Sequence, residues 1–168
     1  MKHKTYIKNI DTENGVYISA KASKESKKKI KEFVKNELKI NTDYDDYHIT
    51  LIYSKKPFSG EIKLLLPNGK LETFVKKYTK FDNQQDGDSS LVFVLDSKDA
   101  QKLHKILMEK YDFKYDYDEY IPHLTLTYKA FDITEKEYNN FPIPQFKIEF
   151  DDIIIQEIDN EWIKKKEK

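Results

Sequence analysis

Cysteine is absent from this chain of 168 residues. Its absence excludes disulfide bonds, thiolate nucleophiles and zinc sites built on cysteine. Long hydrophobic runs are missing as well, since no apolar segment approaches the roughly 20 residues needed to cross a bilayer. The polar N-terminal residues lack the apolar core of a secretory signal. We therefore expect a cytoplasmic protein with no membrane partner.

An excess of charge of either sign is also lacking. Basic and acidic residues number 30 each, so the formal net charge at pH 7 is zero. Proteins that hold long nucleic acids mainly by electrostatic attraction need a clustered cationic excess, so we expect no long nucleic acid as a partner. A small anionic ligand held by a few local groups is compatible with this composition. The length favours a single domain, 1–168, with a substantial core.

A short alternating stretch occurs twice, as YHITLIY over residues 47–53 and as PHLTLTY over residues 122–128. Alternation of this kind is typical of a strand, in which successive side chains point to opposite faces. One face of each copy then presents a histidine and a threonine: His48 and Thr50, and His123 and Thr125. The apolar faces are expected to consist of Ile49, Leu51, Tyr53, Leu124, Leu126 and Tyr128. Two such strands placed side by side would form a small site.

The same order of elements precedes both copies: a strand, an amphipathic helix, a loop and then the His-x-Thr strand. The first strand lies 31 residues before the histidine in one copy (17 to 48) and 30 residues before it in the other (93 to 123). We interpret this as an internal duplication of approximately residues 15–54 and 91–129. The expected architecture is α+β, with two pseudo-symmetric strand–helix–strand lobes, antiparallel sheets around a central cleft, and helices outside.

Further expectations concern other segments of the chain. Residues 1–14 are polar and are expected to form a loosely attached entry segment. The segments 74–81, 146–150 and 153–158 are expected to be strands. His104 lies beside the apolar stripe of the second predicted helix and is expected at the surface or its boundary.

Two histidines on opposite sides of a reacting group can act as base and acid at once, because imidazole has a pKa of roughly 6.5. Two threonine hydroxyls could donate hydrogen bonds to the non-bridging oxygens of a pentacoordinate phosphorus. This chemistry requires no metal or other cofactor. One His-x-Thr motif alone would usually be structural, whereas two copies on equivalent strands favour a shared site. The residues indicate cleavage of a phosphodiester, most easily one with a neighbouring 2′-hydroxyl.

The paired motifs resemble those of the 2H phosphoesterase superfamily. Longer stretches resemble one branch of it, the phage anti-CBASS nucleases that cleave cyclic di- and trinucleotide messengers: residues 15–21 with the following helix, 48–57, and 103–128. The resemblance implies metal-independent hydrolysis of 3′–5′ bonds in messengers such as 3′,3′-cGAMP, in the host cytoplasm if a phage encodes the chain. It also implies a catalytic role for four residues: His48, Thr50, His123 and Thr125.

Candidates for base binding follow from the expectation that bases stack on aromatic side chains. Tyr17 lies on the polar face of its strand, Trp162 is the only tryptophan, and Phe74 is a further aromatic candidate. The family pattern leads us to expect an acidic, base-reading residue six positions before the terminal tryptophan. This chain has Gln156 there, followed by Glu157.

Alternatives to the cyclic-nucleotide nuclease are an RNA 2′,3′-cyclic phosphodiesterase and a sponge that sequesters the messenger without cutting it. Zero net charge favours a small cyclic substrate over an RNA strand. Intact histidines in both motifs favour hydrolysis over sequestration. Lys55 and Lys56 follow the first His-x-Thr strand and could contact a phosphate or simply be solvated. We expect the protein to act as a monomer.

Overall fold

The computed structural model describes residues 2–83 and 87–159. Within these residues the chain forms eight strands: β1 (Lys4–Thr12), β2 (Val16–Ala22), β3 (His48–Ser54), β4 (Phe58–Leu66), β5 (Leu71–Asn83), β6 (Asp88–Asp96), β7 (His123–Thr127) and β8 (Ile148–Glu157). The same residues form three α-helices: α1 (Lys24–Asn36), α2 (Lys98–Tyr111) and α3 (Glu135–Asn139). The α+β class with antiparallel strand pairing is therefore confirmed.

The order of the strands places both His-x-Thr strands at sheet edges. In the described part of the chain, six strands form one sheet in the order β3-β2-β8-β5-β6-β7. Each His-x-Thr strand, β3 or β7, pairs with the strand that opens its own strand–helix–strand unit. Although β3 and β7 lie at opposite ends of this order, they contact each other. The sheet is therefore curved, and its two edges meet.

Helices α1 and α2 cover the apolar side of this curved sheet. Ser23 caps α1 by accepting a hydrogen bond from the Ser26 amide at 3.1 Å, and Ser97 caps α2 in the same way through the Ala100 amide at 3.1 Å. Both are favoured N-cap residues. The inward faces of the helices are fully or nearly fully buried: Ile30, Val34, Ala100, Leu103 and Leu107. The opposite face of the sheet stays available for polar side chains.

The expectation of a loose segment over residues 1–14 is wrong. Strand β1 pairs antiparallel with β4 along its whole length and forms a second, two-stranded sheet. Strand β4 has a strict alternation that buries Ile62, Leu64 and Leu66. Most side chains of β1 remain exposed, which explains its polar composition. The strand is held by its backbone pairing with β4.

The two strands expected near the C-terminus are one continuous strand, β8. Its pairing with β2 skips Asp151, so the acidic pair at 151 and 152 marks a bulge rather than a turn. Bulges accommodate an extra residue without ending a strand. Strand β6, in which residues 91–95 are all apolar, lies between β5 and β7 and is therefore not an edge strand.

Candidate active site

A cleft of about 660 Å³ lies where the two sheet edges meet. Its lining includes all four residues of the two predicted motifs: His48, Thr50, His123 and Thr125. The first two come from β3 and the last two from β7. The fold thus brings together side chains that are 75 positions apart in sequence, as the count from 48 to 123 shows.

Each histidine is oriented by the backbone of its own approach loop. The Nδ1 atom of His48 lies 2.7 Å from the carbonyl oxygen of Asp46, and the Nδ1 atom of His123 lies 3.0 Å from that of Ile121. A carbonyl oxygen can only accept, so each Nδ1 carries the donated hydrogen. The Nε2 atom is then the nitrogen of each neutral ring that can take a proton from a ligand.

The two histidines differ in their surroundings. Burial lowers the pKa of His48 most strongly, the carbonyl and carboxylate of Asp46 act in the opposite direction, and the charges of Lys21 and His123 lower it further. The net shift is downward, so the His48 imidazole is neutral at neutral pH. His123, in contrast, is exposed in the cleft.

A lysine that the sequence analysis missed also lines the cleft. Lys21 is the cross-strand partner of His48 in β2, and its Nζ lies 2.6 Å from a carboxylate oxygen of Asp46. Burial opposes ionisation of Asp46, but the Lys21 hydrogen bond and the nearby positive charges outweigh it and lower the pKa of this carboxyl. Lys21 lies four positions after Tyr17, so strand alternation would have placed it on the same face.

Bulges at matching positions change which residues reach the cleft. The pairing of β3 with β2 skips Leu51, and the pairing of β7 with β6 skips Leu126. Both leucines are the third residue after the histidine, and both are fully buried. A bulge interrupts the alternation of side chains, so Tyr53 and Tyr128 line the cleft. Their predicted position on the apolar face is wrong.

Behind β3, two side chains from the second half of the chain hold the bulge. The Nδ1 atom of His104 donates to the backbone carbonyl oxygen of Leu51 at 2.7 Å. The hydroxyl of Tyr120 donates to the backbone carbonyl oxygen of Thr50, also at 2.7 Å. The two rings are stacked, with centroids 4.1 Å apart. His104 is only 8% exposed, so its predicted surface position is wrong. An edge strand leaves carbonyls without a strand partner, and this buried pair supplies the donors.

Two of the predicted base-binding residues lie together in the cleft. Tyr17 and Gln156 are cross-strand partners on β2 and β8, and both line the cleft. The Tyr17 hydroxyl lies 3.5 Å from the hydroxyl of Thr50, and the Tyr17 ring packs edge-on against Tyr53 with centroids 5.8 Å apart. Trp162 lies outside the described residues.

The other predicted ligand-binding residues lie elsewhere. Phe74 is 53% exposed near the start of β5 and does not line the cleft. Lys55 follows the end of β3 and is likewise outside the cleft lining. The Glu157 carboxylate accepts hydrogen bonds from the backbone amides of Glu13 at 2.9 Å and Asn14 at 3.1 Å. It therefore anchors the connection between β1 and β2.

Among the residues that the structure describes, no group of three or more histidine, aspartate or glutamate side chains is placed to hold a metal ion. In the same part of the chain, no helix combines the length and apolarity needed to span a membrane.

Comparison with known proteins adds one finding on the family. A family model described as "Anti-CBASS protein Acb1" matches residues 14–165, which include both His-x-Thr strands and all six strands of the larger sheet. No curated protein matches the chain.

Proposed function

The chain belongs to the Acb1 family of anti-CBASS proteins, and we propose on this basis that it is a 2H-type phosphodiesterase. Its substrates are cyclic di- and trinucleotide messengers such as 3′,3′-cGAMP, in which it hydrolyses 3′–5′ bonds without a metal ion. Destruction of the messenger would allow a phage to evade CBASS signalling in the host cytoplasm. The proposed unit is a single domain that acts as a monomer.

One observation carries this proposal: two histidines from two different edge strands line one cleft with the same orientation. The Nδ1 atoms of His48 and His123 both contact the carbonyl oxygen two residues earlier. Each ring can therefore present Nε2 to a ligand in the cleft. A pair of general acid–base groups on opposite sides of one phosphate is suited to cleavage of a phosphodiester that has a neighbouring 2′-hydroxyl.

We assign His48 as the base and His123 as the acid. The lowered pKa of His48 keeps its Nε2 unprotonated at neutral pH. This nitrogen takes the proton from the 2′-hydroxyl beside the scissile phosphate, and O2′ then bonds to phosphorus. The P–O5′ bond breaks as the protonated His123 donates its Nε2 hydrogen to O5′. In the second step water opens the resulting 2′,3′-cyclic phosphate while the two histidines exchange roles.

The threonines and a lysine stabilise the charge on phosphorus. Thr50 and Thr125 line the cleft beside their histidines, and their hydroxyls donate to the non-bridging oxygens. Such donors are most effective where negative charge develops in the transition state. Burial raises the pKa of Tyr17 to about 12, so its hydroxyl, which accepts a hydrogen bond from the Thr50 hydroxyl at 3.5 Å, stays protonated. Lys21 adds positive charge on the same face of β2.

The proposed ancestry is an internal duplication of approximately residues 15–54 and 91–129. It is supported by the strand order, which from either edge of the sheet begins with a His-x-Thr strand followed by the first strand of the same unit. Bulges at the third residue after each histidine also support it. For base binding we propose stacking on Tyr17, with the Gln156 amide beside it and Trp162 as a second aromatic surface. An amide both donates and accepts hydrogen bonds, so Gln156 suits a base edge that offers either.

The test is incubation with a panel of cyclic di- and trinucleotides in EDTA, followed by chromatography of the products. We expect turnover by the native chain and none by His48→Ala or His123→Ala. Recovery of intact ligand from a tight complex with the native chain would instead identify a sponge. Turnover restricted to RNA ending in a 2′,3′-cyclic phosphate would identify an RNA-end enzyme.

A further inference from the structure

The register of the strands that line the cleft relates each histidine to residues on the two neighbouring strands. In the first half, His48 pairs with Lys21 on β2, and Lys21 pairs with Asp152 on β8. Four residues further along β8, Gln156 pairs with Tyr17. We call the row formed by His48, Lys21 and Asp152 the histidine row. Tyr17 and Gln156 lie four residues from this row along their strands, and both line the cleft.

The second half has the same register. His123 pairs with Val94 on β6, and Val94 pairs with Lys77 on β5. Four residues further along β5, Phe81 pairs with Ser90. Phe81 and Ser90 both line the cleft. The step from the row of His123 to this pair is thus the same as in the first half.

Irregularities in the strands confirm that these registers correspond. The pairing of β8 with β2 skips Asp151, which directly precedes Asp152 of the first half. The pairing of β5 with β6 skips Lys76, which directly precedes Lys77 of the second half. Phe81 therefore occupies in the second half the position that Gln156 occupies in the first. The two positions lie at corresponding places in the two halves of the cleft.

Phe81 differs from a core aromatic in its surroundings. It is 51% exposed, although it lines the cleft, and its ring lies edge-on to His123 with centroids 5.7 Å apart. Covering an exposed phenylalanine ring removes apolar surface from water and is favourable. A ligand that covers the Phe81 ring would gain free energy in this way.

We propose that Phe81 is the stacking platform for the second base of a cyclic dinucleotide. This inference rests on the proposed function and deepens it. A cyclic dinucleotide has two bases, one on each of the two nucleosides that flank a given phosphate. When one phosphate lies between His48 and His123, one base extends toward Tyr17 and the other toward Phe81. Every base has a π-face, so this platform tolerates different bases at the second position.

The experiment measures the dissociation constant of 3′,3′-cGAMP by calorimetry in a His48→Ala background, which prevents turnover. Loss of one stacked base is worth about 1–3 kcal/mol, so Phe81→Ala should weaken binding between about 5-fold and 100-fold. Phe81→Trp should restore it, whereas Phe81→Leu, which keeps apolar bulk without a ring, should not. The control is Phe131→Ala, which removes a ring of similar exposure, 59%, outside the cleft lining.

The outcomes separate the two proposals. Turnover by the native chain together with unchanged affinity in Phe81→Ala would overturn the role of Phe81 and leave the proposed function intact. Full affinity in Phe81→Leu would also overturn it, since packing rather than stacking would then explain the contact. Absence of both turnover and detectable binding of 3′,3′-cGAMP would overturn both proposals.

Discussion

The imidazole of His104 on α2 donates its Nδ1 hydrogen to the carbonyl oxygen of Leu51, the bulged residue of β3, at 2.7 Å. This bond joins the second half of the chain to the strand that holds the first predicted catalytic motif. It matters because the bulge places Tyr53 in the cleft with His48 and Thr50.

We predict that His104→Leu lowers the free energy of unfolding by about 1–3 kcal/mol, because the Leu51 carbonyl then stays buried without a donor. Urea denaturation measures this change. Lys105→Ala, an exposed substitution on the next residue of the same helix, is the control and should change stability by less than about 0.5 kcal/mol. Equal stability of the two variants would contradict the structural role of His104.

Stability should fall as the pH drops below 6.5. Burial lowers the pKa of both His48 and His104 from the ordinary value of 6.5. Between that value and the lower folded-state pKa, the unfolded chain binds more protons than the folded chain, so acid favours unfolding. Denaturant titrations at several pH values should show this slope, and His104→Leu should make it shallower. A slope unchanged by His104→Leu would show that this residue does not titrate as a buried neutral group.

Removal of either histidine that we propose to be catalytic should abolish most of the activity. We expect His48→Ala and His123→Ala each to lower kcat by about 10²–10⁴-fold, the usual contribution of general acid–base catalysis. His3→Ala, in which the replaced imidazole accepts a hydrogen bond from the Asn68 amide far from the cleft, should leave kcat unchanged. Retention of activity in either cleft variant would remove that residue from the mechanism.

The extent to which the sequence predicts this cleft depends on where each strand departs from regularity. Alternation is sufficient to place His48 and Thr50 on one face, because the bulge at Leu51 comes after them. It fails for Tyr53 and Tyr128, since no local residue pattern marks an unpaired leucine within an apolar run. Lys21, by contrast, lies in β2, of which no residue from Val16 to Lys21 is skipped in its pairings with β3 and β8, so the simple period of two would have found it.

Other features depend on contacts between distant parts of the chain. The polar segment 1–14 contains a strand only because β4 offers it a complete partner. His104 is buried because an edge strand of the other half needs donors, which helical periodicity on α2 cannot reveal. The position of Phe81 as the counterpart of Gln156 is evident only when the register of β5 against β6 is known. The repeated order of strand, helix, loop and His-x-Thr strand can be read from the sequence, whereas these pairings required the fold.

The threonines should contribute to the chemical step more than to substrate binding. Thr50→Val and Thr125→Val keep the shape of the side chain and remove the hydroxyl, so we expect kcat to fall by about 10²–10³-fold, as for the loss of one oxyanion donor. KM should change little, because the donors act mainly as charge develops on phosphorus. A large rise in KM at unchanged kcat would instead indicate ground-state binding.

Lys21→Gln should shift the acidic limb of the pH profile of kcat/KM to higher pH. The Lys21 charge lowers the pKa of His48, and its removal also leaves the Asp46 carboxylate, which raises that pKa, without its ion-pair partner. Both effects favour the protonated form of the base. Lys63→Gln, a substitution outside the cleft lining, should not move the limb. A shift to lower pH would contradict the assignment of His48 as the base.

The central claim is that one phosphate lies between imidazoles from the two halves of the chain, and NMR titration tests it most directly. The protein has four histidines, and His3, which lies outside the cleft lining, serves as the internal reference. On addition of a non-hydrolysable phosphorothioate analogue of 3′,3′-cGAMP, we predict that the ring signals of His48 and His123 shift together with one dissociation constant, while that of His3 stays fixed. A response of only one of the two cleft histidines, or two different dissociation constants, would contradict the account.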